Sequence, residues 1–241
     1  FMRDNSYLNL KCNCTVTRGK DFTETRNYPT APYIESLANY DFQLAYYTPR
    51  TDRIRPFVKF GLATGGYRID DLNSDIQHET VNFGLGLIMT TSSQFRASLD
   101  FFEYQKENNW EVWQRENLFG YYDKEMVSSG INLDWFPGNN QEFRLKAFIY
   151  GIKANNARAF RVNQNGYMSS SSDAINPFQV SETAFQIRYK YEFSPLSNLY
   201  VVYTRGGKSS GLLKDSFDGL YSNAWNEQTL DKFIVKIRYK F

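Results

Sequence analysis

Phe233-Ile234-Val235-Lys236-Ile237-Arg238-Tyr239-Lys240-Phe241 is the stretch that decides the fold. Phe233, Val235, Ile237, Tyr239 and Phe241 alternate with Ile234, Lys236, Arg238 and Lys240. Side chains alternate across a β-strand, so one face of this segment is apolar and aromatic and the other largely basic. In a soluble sheet the apolar face buries against a second layer. Nearly every other strand of the chain reads the same way, and no segment supplies that layer. The economical solution is a closed sheet whose apolar faces point outward into lipid: an all-β, transmembrane, antiparallel up-and-down barrel.

Working back along the chain, nine more segments carry the same period of two. The first strand, about residues 7–17, sets Leu8, Leu10, Cys12, Cys14 and Val16 outward and Asn9, Lys11, Asn13 and Thr15 inward. The second has Tyr40, Phe42, Leu44 and Tyr46 outward, with Asp41 and Gln43 inward; the third has Val58, Phe60 and Leu62 outward, with Lys59, Gly61 and Ala63 inward. The fourth alternates Val81, Phe83, Leu85, Leu87 and Met89 with Asn82, Gly84 and Gly86. The fifth alternates Phe95, Ala97, Leu99 and Phe101 with Arg96, Ser98 and Asp100. The sixth sets Val127, Ile131, Leu133 and Trp135 against Ser128, Gly130, Asn132 and Asp134. The seventh sets Phe143, Leu145, Ala147 and Ile149 against Arg144 and Lys146. The eighth sets Phe185, Ile187, Tyr189, Tyr191 and Phe193 against Gln186, Arg188, Lys190 and Glu192, and the ninth turns Leu199, Val201 and Tyr203 outward.

The connections alternate in length. Short ones lie near 48–53, 91–94, 137–140 and 194–197, where Thr48-Pro49-Arg50-Thr51-Asp52 and Pro137-Gly138-Asn139-Asn140 carry turn chemistry. Long ones lie near 18–37, 67–78, 106–124, 154–180 and 206–230. Outer-membrane barrels have short periplasmic turns and long external loops, so this alternation predicts a final strand running inward to a periplasmic C-terminus. A soluble β-sandwich, the competing architecture, has no need of it. Residues 106–124 allow two readings, an extension of the neighbouring strands or a folded loop.

Composition agrees. The 241 residues carry 28 Lys and Arg against 26 Asp and Glu, a net charge of +2, which points to neither a nucleic-acid nor an acidic partner. Mean hydropathy is −0.56, yet 17% of residues are aromatic, a mixture that half-wet strands and polar loops produce. No run of ~18 apolar residues exists, so no transmembrane helix is expected. The chain opens on Phe1 with no signal peptide, as a processed chain or the C-terminal part of a longer one would.

The inward positions are mostly basic: Lys11, Lys59, Arg96, Arg144, Lys146, Arg188, Lys190, Lys236, Arg238 and Lys240, against Asp41, Asp100, Asp134 and Glu192. Rings of Lys and Arg favour anions in a pore. The alternative is a filled barrel, because about ten strands leave little more room than side chains occupy. Trp110, Trp113, Tyr121, Tyr122, Tyr167 and Trp225 fall on external segments. There they are candidates for ligand or partner contact, or for anchoring at the headgroup level. Trp135 and Phe136 belong to a periplasmic girdle.

No catalytic set emerges. His78 is the one histidine, read as a solvated loop residue at the outer mouth, and Ser92 and Ser93 lie at the opposite end of the following strand, so neither a lipase nor a protease of barrel type is assembled. Asp71-Leu72-Asn73-Ser74-Asp75 has the opening spacing of a calcium loop, but Ile76 and Asn82 replace its required Gly and Glu. Cys12 and Cys14, two apart on one strand, diverge too far for a disulfide and lack further metal ligands; they read as small apolar residues on the lipid face. No metal or cofactor is expected.

Phe241 at the terminus, with Tyr239 two before it and alternation throughout, resembles the assembly signal of bacterial outer-membrane β-barrels. Three further stretches carry a family resemblance: Asp134-Trp135-Phe136-Pro137 with Gln141-Glu142-Phe143-Arg144-Leu145-Lys146-Ala147; residues 193–203 with Thr204-Arg205-Gly206-Gly207; and residues 233–241. Together, over 95–241, they resemble the C-terminal barrel of an uncharacterised outer-membrane family whose N-terminal domain is similar to family-9 carbohydrate-binding modules. The resemblance implies a non-enzymatic anchor or conduit tied to sugar or nutrient handling. Its expected partners are outer-membrane lipid and lipopolysaccharide, the barrel assembly machinery through the C-terminal strand, and other outer-membrane proteins. A stand-alone narrow pore with an anion-favouring lumen is the alternative, and a barrel-type hydrolase the least favoured reading.

Overall fold

The computed structural model describes residues 6–15, 19–21, 33–49, 53–68, 75–213 and 216–240. The elements in chain order are β1 (Tyr7–Thr15), β2 (Gly19–Asp21), β3 (Ile34–Ser36), β4 (Asn39–Tyr47), β5 (Ile54–Arg68), β6 (Asp75–Ser92) and β7 (Phe95–Arg115). They continue with β8 (Leu118–Gly138), β9 (Gln141–Val162), β10 (Met168–Ser170), β11 (Phe178–Ser194), β12 (Ser197–Leu212), α1 (Phe217–Asn226) and β13 (Gln228–Arg238). The described strands form one antiparallel sheet whose main path is β1-β4-β5-β6-β7-β8-β9-β11-β12-β13. These ten are the ten strands that the alternation marks out. β2, β3 and β10 are short additions: β2 pairs β3, β3 touches β5, and β10 pairs β9. Among the described residues β1 pairs only with β4 and β13 only with β12, which leaves the sheet open between them.

Residues directly opposite in antiparallel strands share a face, so the register sorts side chains without ambiguity. Lys11 faces Gln43, Gln43 faces Gly61, and Gly61 faces Asn82, all on the polar face. The apolar face carries Leu8, Leu10, Val58, Phe60, Leu85, Trp135, Phe193, Val235 and Ile237, each exposed. Among the described residues no second layer covers these side chains. The polar face is rich in small residues, among them Gly61, Gly84, Gly130 and Asn132, which leave room for long charged chains. Cys12 and Cys14 are free and exposed on the apolar face, opposite Phe42 and Tyr40.

The strands are longer than a membrane requires. Crossing one takes ~9–11 tilted residues, whereas β7 and β8 have 21 each and β9 has 22. Much of what reads as long loop is therefore strand. Residues 106–124 are the upper part of a tall β7–β8 hairpin closed at Glu116-Asn117, and not a folded loop. The span 154–180 contains the end of β9, all of β10 and the start of β11, and 206–230 contains α1. His78 lies within β6 opposite Gly65, half-buried, and burial lowers its pKa; it is not a loop residue. Residues 71–74 of the calcium-like stretch, residues 50–52 of the first turn, and Phe241 lie outside the described residues.

Bulges interrupt the ladders at particular heights. Leu85 pairs with Phe102 and Gly86 with Asp100, so Phe101 is the extra residue and parity shifts after it. Phe102 and Tyr104 then take the apolar face, while Glu103, Gln105 and Glu107 take the polar one. Further up, β7 bulges near Asn109 and β9 near Asn156, both with positive φ (58° and 50°). Asp123 accepts from the Asn109 amide at 3.5 Å and from Asn156 Nδ2 at 2.7 Å, which ties the two together.

The compact core sits beyond those bulges, at the end away from the short turns. Ile34, Ile76, Phe119, Tyr121, Val162 and Met168 are buried together, with Tyr67 and Phe160 against them. The Tyr121 hydroxyl donates to Glu111 at 2.5 Å, and burial, then that carboxylate, hold its pKa well above the usual value. The turn between β9 and β10 packs beside this core at Gly166, φ 79°, where the Tyr33 ring, next to Ile34, occupies the space a Cβ would need. Only glycine suits that position.

Candidate functional site on the polar face

Successive pairings align the charged residues into cross-strand rows. Arg96 faces Asp134, Asp134 faces Arg144, and Arg144 faces Arg188. The next row toward the far end runs Asn132, Lys146, Gln186, Thr204, Lys232. On the other side lies the row Glu142, Lys190, Tyr200, Lys236, and then Asn198 with Arg238. The residues that alternation assigns to one face are thus brought side by side over six strands.

Ion pairs tie part of this surface. Arg144 Nε lies 2.5 Å from Glu142 Oε1 and 3.4 Å from Asp134 Oδ1, and Arg188 also binds Glu142. Lys59 reaches across β6 to Asp100, 3.6 Å away, passing over Gly84 and Gly86. Asp41 accepts from Asn13 at 3.2 Å and from Gln43 at 3.1 Å. Glu192 instead accepts the Leu196 amide at 3.1 Å, so it stabilises the β11–β12 turn. Among the described residues Lys11, Arg96, Lys146, Lys190, Lys236 and Arg238 enter no ion pair within 4.0 Å. Lys240 follows the end of β13, with its amide donating to Ser197 Oγ at 3.1 Å. The carboxylates are mostly engaged and cations remain in surplus.

Two hollows open beside these charges. One, about 380 Å³, is lined by Asn9, Lys11, Gln43, Lys59, Asn82 and Glu103 among others. The other, about 320 Å³, lies at the short-turn end between Arg53, Arg55, Thr90 and Arg96. Arg53 and Arg55 are absent from the sequence-derived set. Carrying the alternation back from Lys59 through Phe57 finds them, because they share its parity. Arg55 stacks on Tyr7 at 4.3 Å and on Tyr47 at 5.4 Å, while Tyr7 and Tyr47 stack on each other at 4.4 Å.

Of the candidate aromatics, Tyr121 and Tyr122 are buried, and the other four do not form one patch. Trp110 is half-buried in the β7 ladder, tilted on Tyr122 and Phe178, with Lys124 Nζ over its ring at 4.8 Å. Lys124, itself buried, meets Glu107 at 2.6 Å. Trp113 is exposed near the hairpin tip, donating to the Glu116 carbonyl at 3.0 Å. Tyr167 belongs to the turn before β10, where its amide donates to Asn163 at 3.1 Å. Trp225 ends α1, exposed, with Arg205 stacked on it at 4.4 Å. Among the described residues no three His, Cys, Asp or Glu side chains form a metal-holding group.

No curated protein matches the chain. A solved structure titled Copper transporter OprC is similar over 97% of this chain, with a TM-score of 0.50 and 11% identity. At that identity the likeness shows the fold alone, and this chain spans 37% of that one. The sequence profile of a family described as a domain of unknown function, DUF5916, matches residues 1–241 from end to end, and the chain belongs to that family.

Proposed function

We propose that the chain forms the wall of a bacterial outer-membrane β-barrel and serves as a membrane anchor or conduit, with no catalytic step of its own. One observation carries this reading: the two faces of the ten-strand sheet. Exposed aliphatic and aromatic side chains cover one face, and charged rows with surplus cations cover the other. Only lipid on the first side and water on the second satisfy both. The short turns and the C-terminus then lie in the periplasm, and the strand ending at Phe241 engages the assembly machinery. A link to carbohydrate handling rests on the motif resemblance.

The unpaired cations favour a second, finer reading, in which the polar face lines a passage that prefers anions. Reversal potentials across a planar bilayer under a salt gradient test it. The reconstituted protein is expected to pass anions over cations. Replacing Lys236, Arg238 and Lys240 together by Gln is expected to lower that preference several-fold. Cation preference, or selectivity unmoved by the triple change, overturns the passage reading. An inserted but silent protein supports the anchor.

A further inference from the structure

The helix α1 lies on the apolar side of the wall. Ser181 Oγ donates to the Leu220 carbonyl at 2.7 Å, and the Phe217 and Tyr221 rings sit where a Cβ on Gly151 would point. Lys153 Nζ lies over the Phe217 ring at 4.8 Å. Gly151 pairs with Ser181, and Ser181 with Ser209, with no register shift between these rows and Ala147, Phe185 and Arg205 below them. Ser181, Gly151 and Lys153 therefore share a face with Leu145, Ile149 and Ile187, opposite the face of Arg144 and Arg188.

The height of α1 is informative as well. Phe143 meets Trp135 edge-on at 6.4 Å on the same face, and Phe193 stacks on Tyr239 at 6.4 Å, which marks an aromatic girdle by the short turns. From Phe143 to Gly151 is eight residues, a rise of roughly 20 Å along the normal for strands tilted about 40°. An apolar band of about 25 Å between girdles is what a transmembrane wall presents. The helix begins where that band ends. Beneath it, past the row of Phe185, Arg205 and Asp231, that face is apolar with Leu145, Ile187, Tyr203 and Phe233; on the outer side of α1 the exposed side chains are Asp218, Ser222 and Asn226, with Trp225 at the end. Trp225 is amphipathic, and Arg205, which stacks on it, also donates to its carbonyl at 2.9 Å.

We infer that α1 is a collar seated in the headgroup layer of the outer leaflet, with Trp225 and Arg205 as its anchor to the lipid surface. This rests on the membrane reading above and adds a defined contact to it. Trp favours that layer because its ring is apolar and its N–H needs a polar partner. Arg205 stands on the row of Ala147 and Phe185, below the helix, and its side chain rises to the Trp225 ring and carbonyl, which carries its cation toward the headgroup side that the polar outer face of α1 meets.

Depth-dependent quenching tests the collar. The protein is reconstituted in phosphatidylcholine brominated near the headgroup or deep in the chain, and the emission lost on Trp225→Phe gives the Trp225 signal. That signal is expected to fall at least twofold more with shallow than with deep bromines. A signal quenched by aqueous iodide and by neither lipid overturns the collar. Trp135→Phe supplies the control: a Trp135 signal that is also blind to both lipids overturns the membrane reading itself. If Trp225→Phe fails to fold, judged by heat-modifiable gel migration, a spin label at Ser222→Cys in a Cys12→Ser/Cys14→Ser background replaces it. Equal accessibility of that label to oxygen and to a nickel chelate, as at an interface, supports the collar; full nickel accessibility overturns it.

Discussion

At the residue scale, charge is handled differently at the two ends of the sheet. On the polar face the cations share few carboxylates, whereas near the compact core a single carboxylate gathers several donors. Asp173 is the clearest case. Arg161 Nε and Nη2 donate to its two oxygens at 2.7 and 3.0 Å, and Arg115 stands 3.6 Å away. The Arg161 hydrogen bonds, then that from Ser171, hold its pKa down at about 2, against 3.8 normally. A depressed carboxylate pKa adds stability that is complete above the unfolded value and lost as pH falls through the folded one. The contribution is therefore full above about pH 4 and gone near pH 2. Asp173→Asn removes it at every pH. The variant is expected to unfold at lower urea than the parent at pH 5, and the two midpoints are expected to converge by pH 2. A gap that persists at pH 2 would show that the carboxylate charge is not what ties 161 to 173.

At the element scale, α1 depends on one close approach. Gly207 of β12 lies under the helix end, where an added Cβ would stand 1.8 Å from the Ala224 carbonyl oxygen. The backbone cannot yield that far without lifting the helix from Ser181 and Gly151. Gly207→Val is expected to cost about 1–3 kcal/mol, the usual range for overfilling a packed site. It should also speed proteolysis between residues 213 and 227; an unchanged cleavage rate would place the helix elsewhere. Nothing in the sequence announced that seat, since 206–230 reads as polar loop and the helix is fixed by tertiary contact. The ten main strands were legible because a period of two is a strong local signal. The bulge at Phe101 was not, because one inserted residue leaves apolar neighbours on both sides of the break. The upper halves of β7 and β8 were ambiguous because Trp110, Tyr121 and Tyr122 break the alternation of apolar and polar residues. Of the charged rows, membership was legible and the pairing was not: which carboxylate Arg188 and Arg144 share depends on register.

At the scale of the whole molecule, the two faces make opposite demands on neighbouring residues, and that contrast is the sharpest check on the architecture. Leu99 and Ser98 are adjacent in β7. Leu99 pairs with Leu87 and Ile131 on the apolar face, four residues along β7 from Phe95, which faces Trp135 of the lower girdle. Ser98 pairs with Ile88 and with Asn132, which in turn faces Lys146. An Arg on the lipid side of a barrel at mid-depth costs about 2–4 kcal/mol, whereas lumen positions accept charge and tune selectivity. Leu99→Arg is thus expected to lose about 2–4 kcal/mol of stability in lipid vesicles. Ser98→Arg is expected to lose less than about 1 kcal/mol while raising anion preference. Reversible urea unfolding from vesicles, followed by Trp emission, reads both. Equal costs at the two positions would mean that both faces meet the same medium, and a wall between lipid and water would no longer describe this sheet. The reverse order would turn the sheet inside out, with the apolar face packed against protein and the cationic rows on the outside.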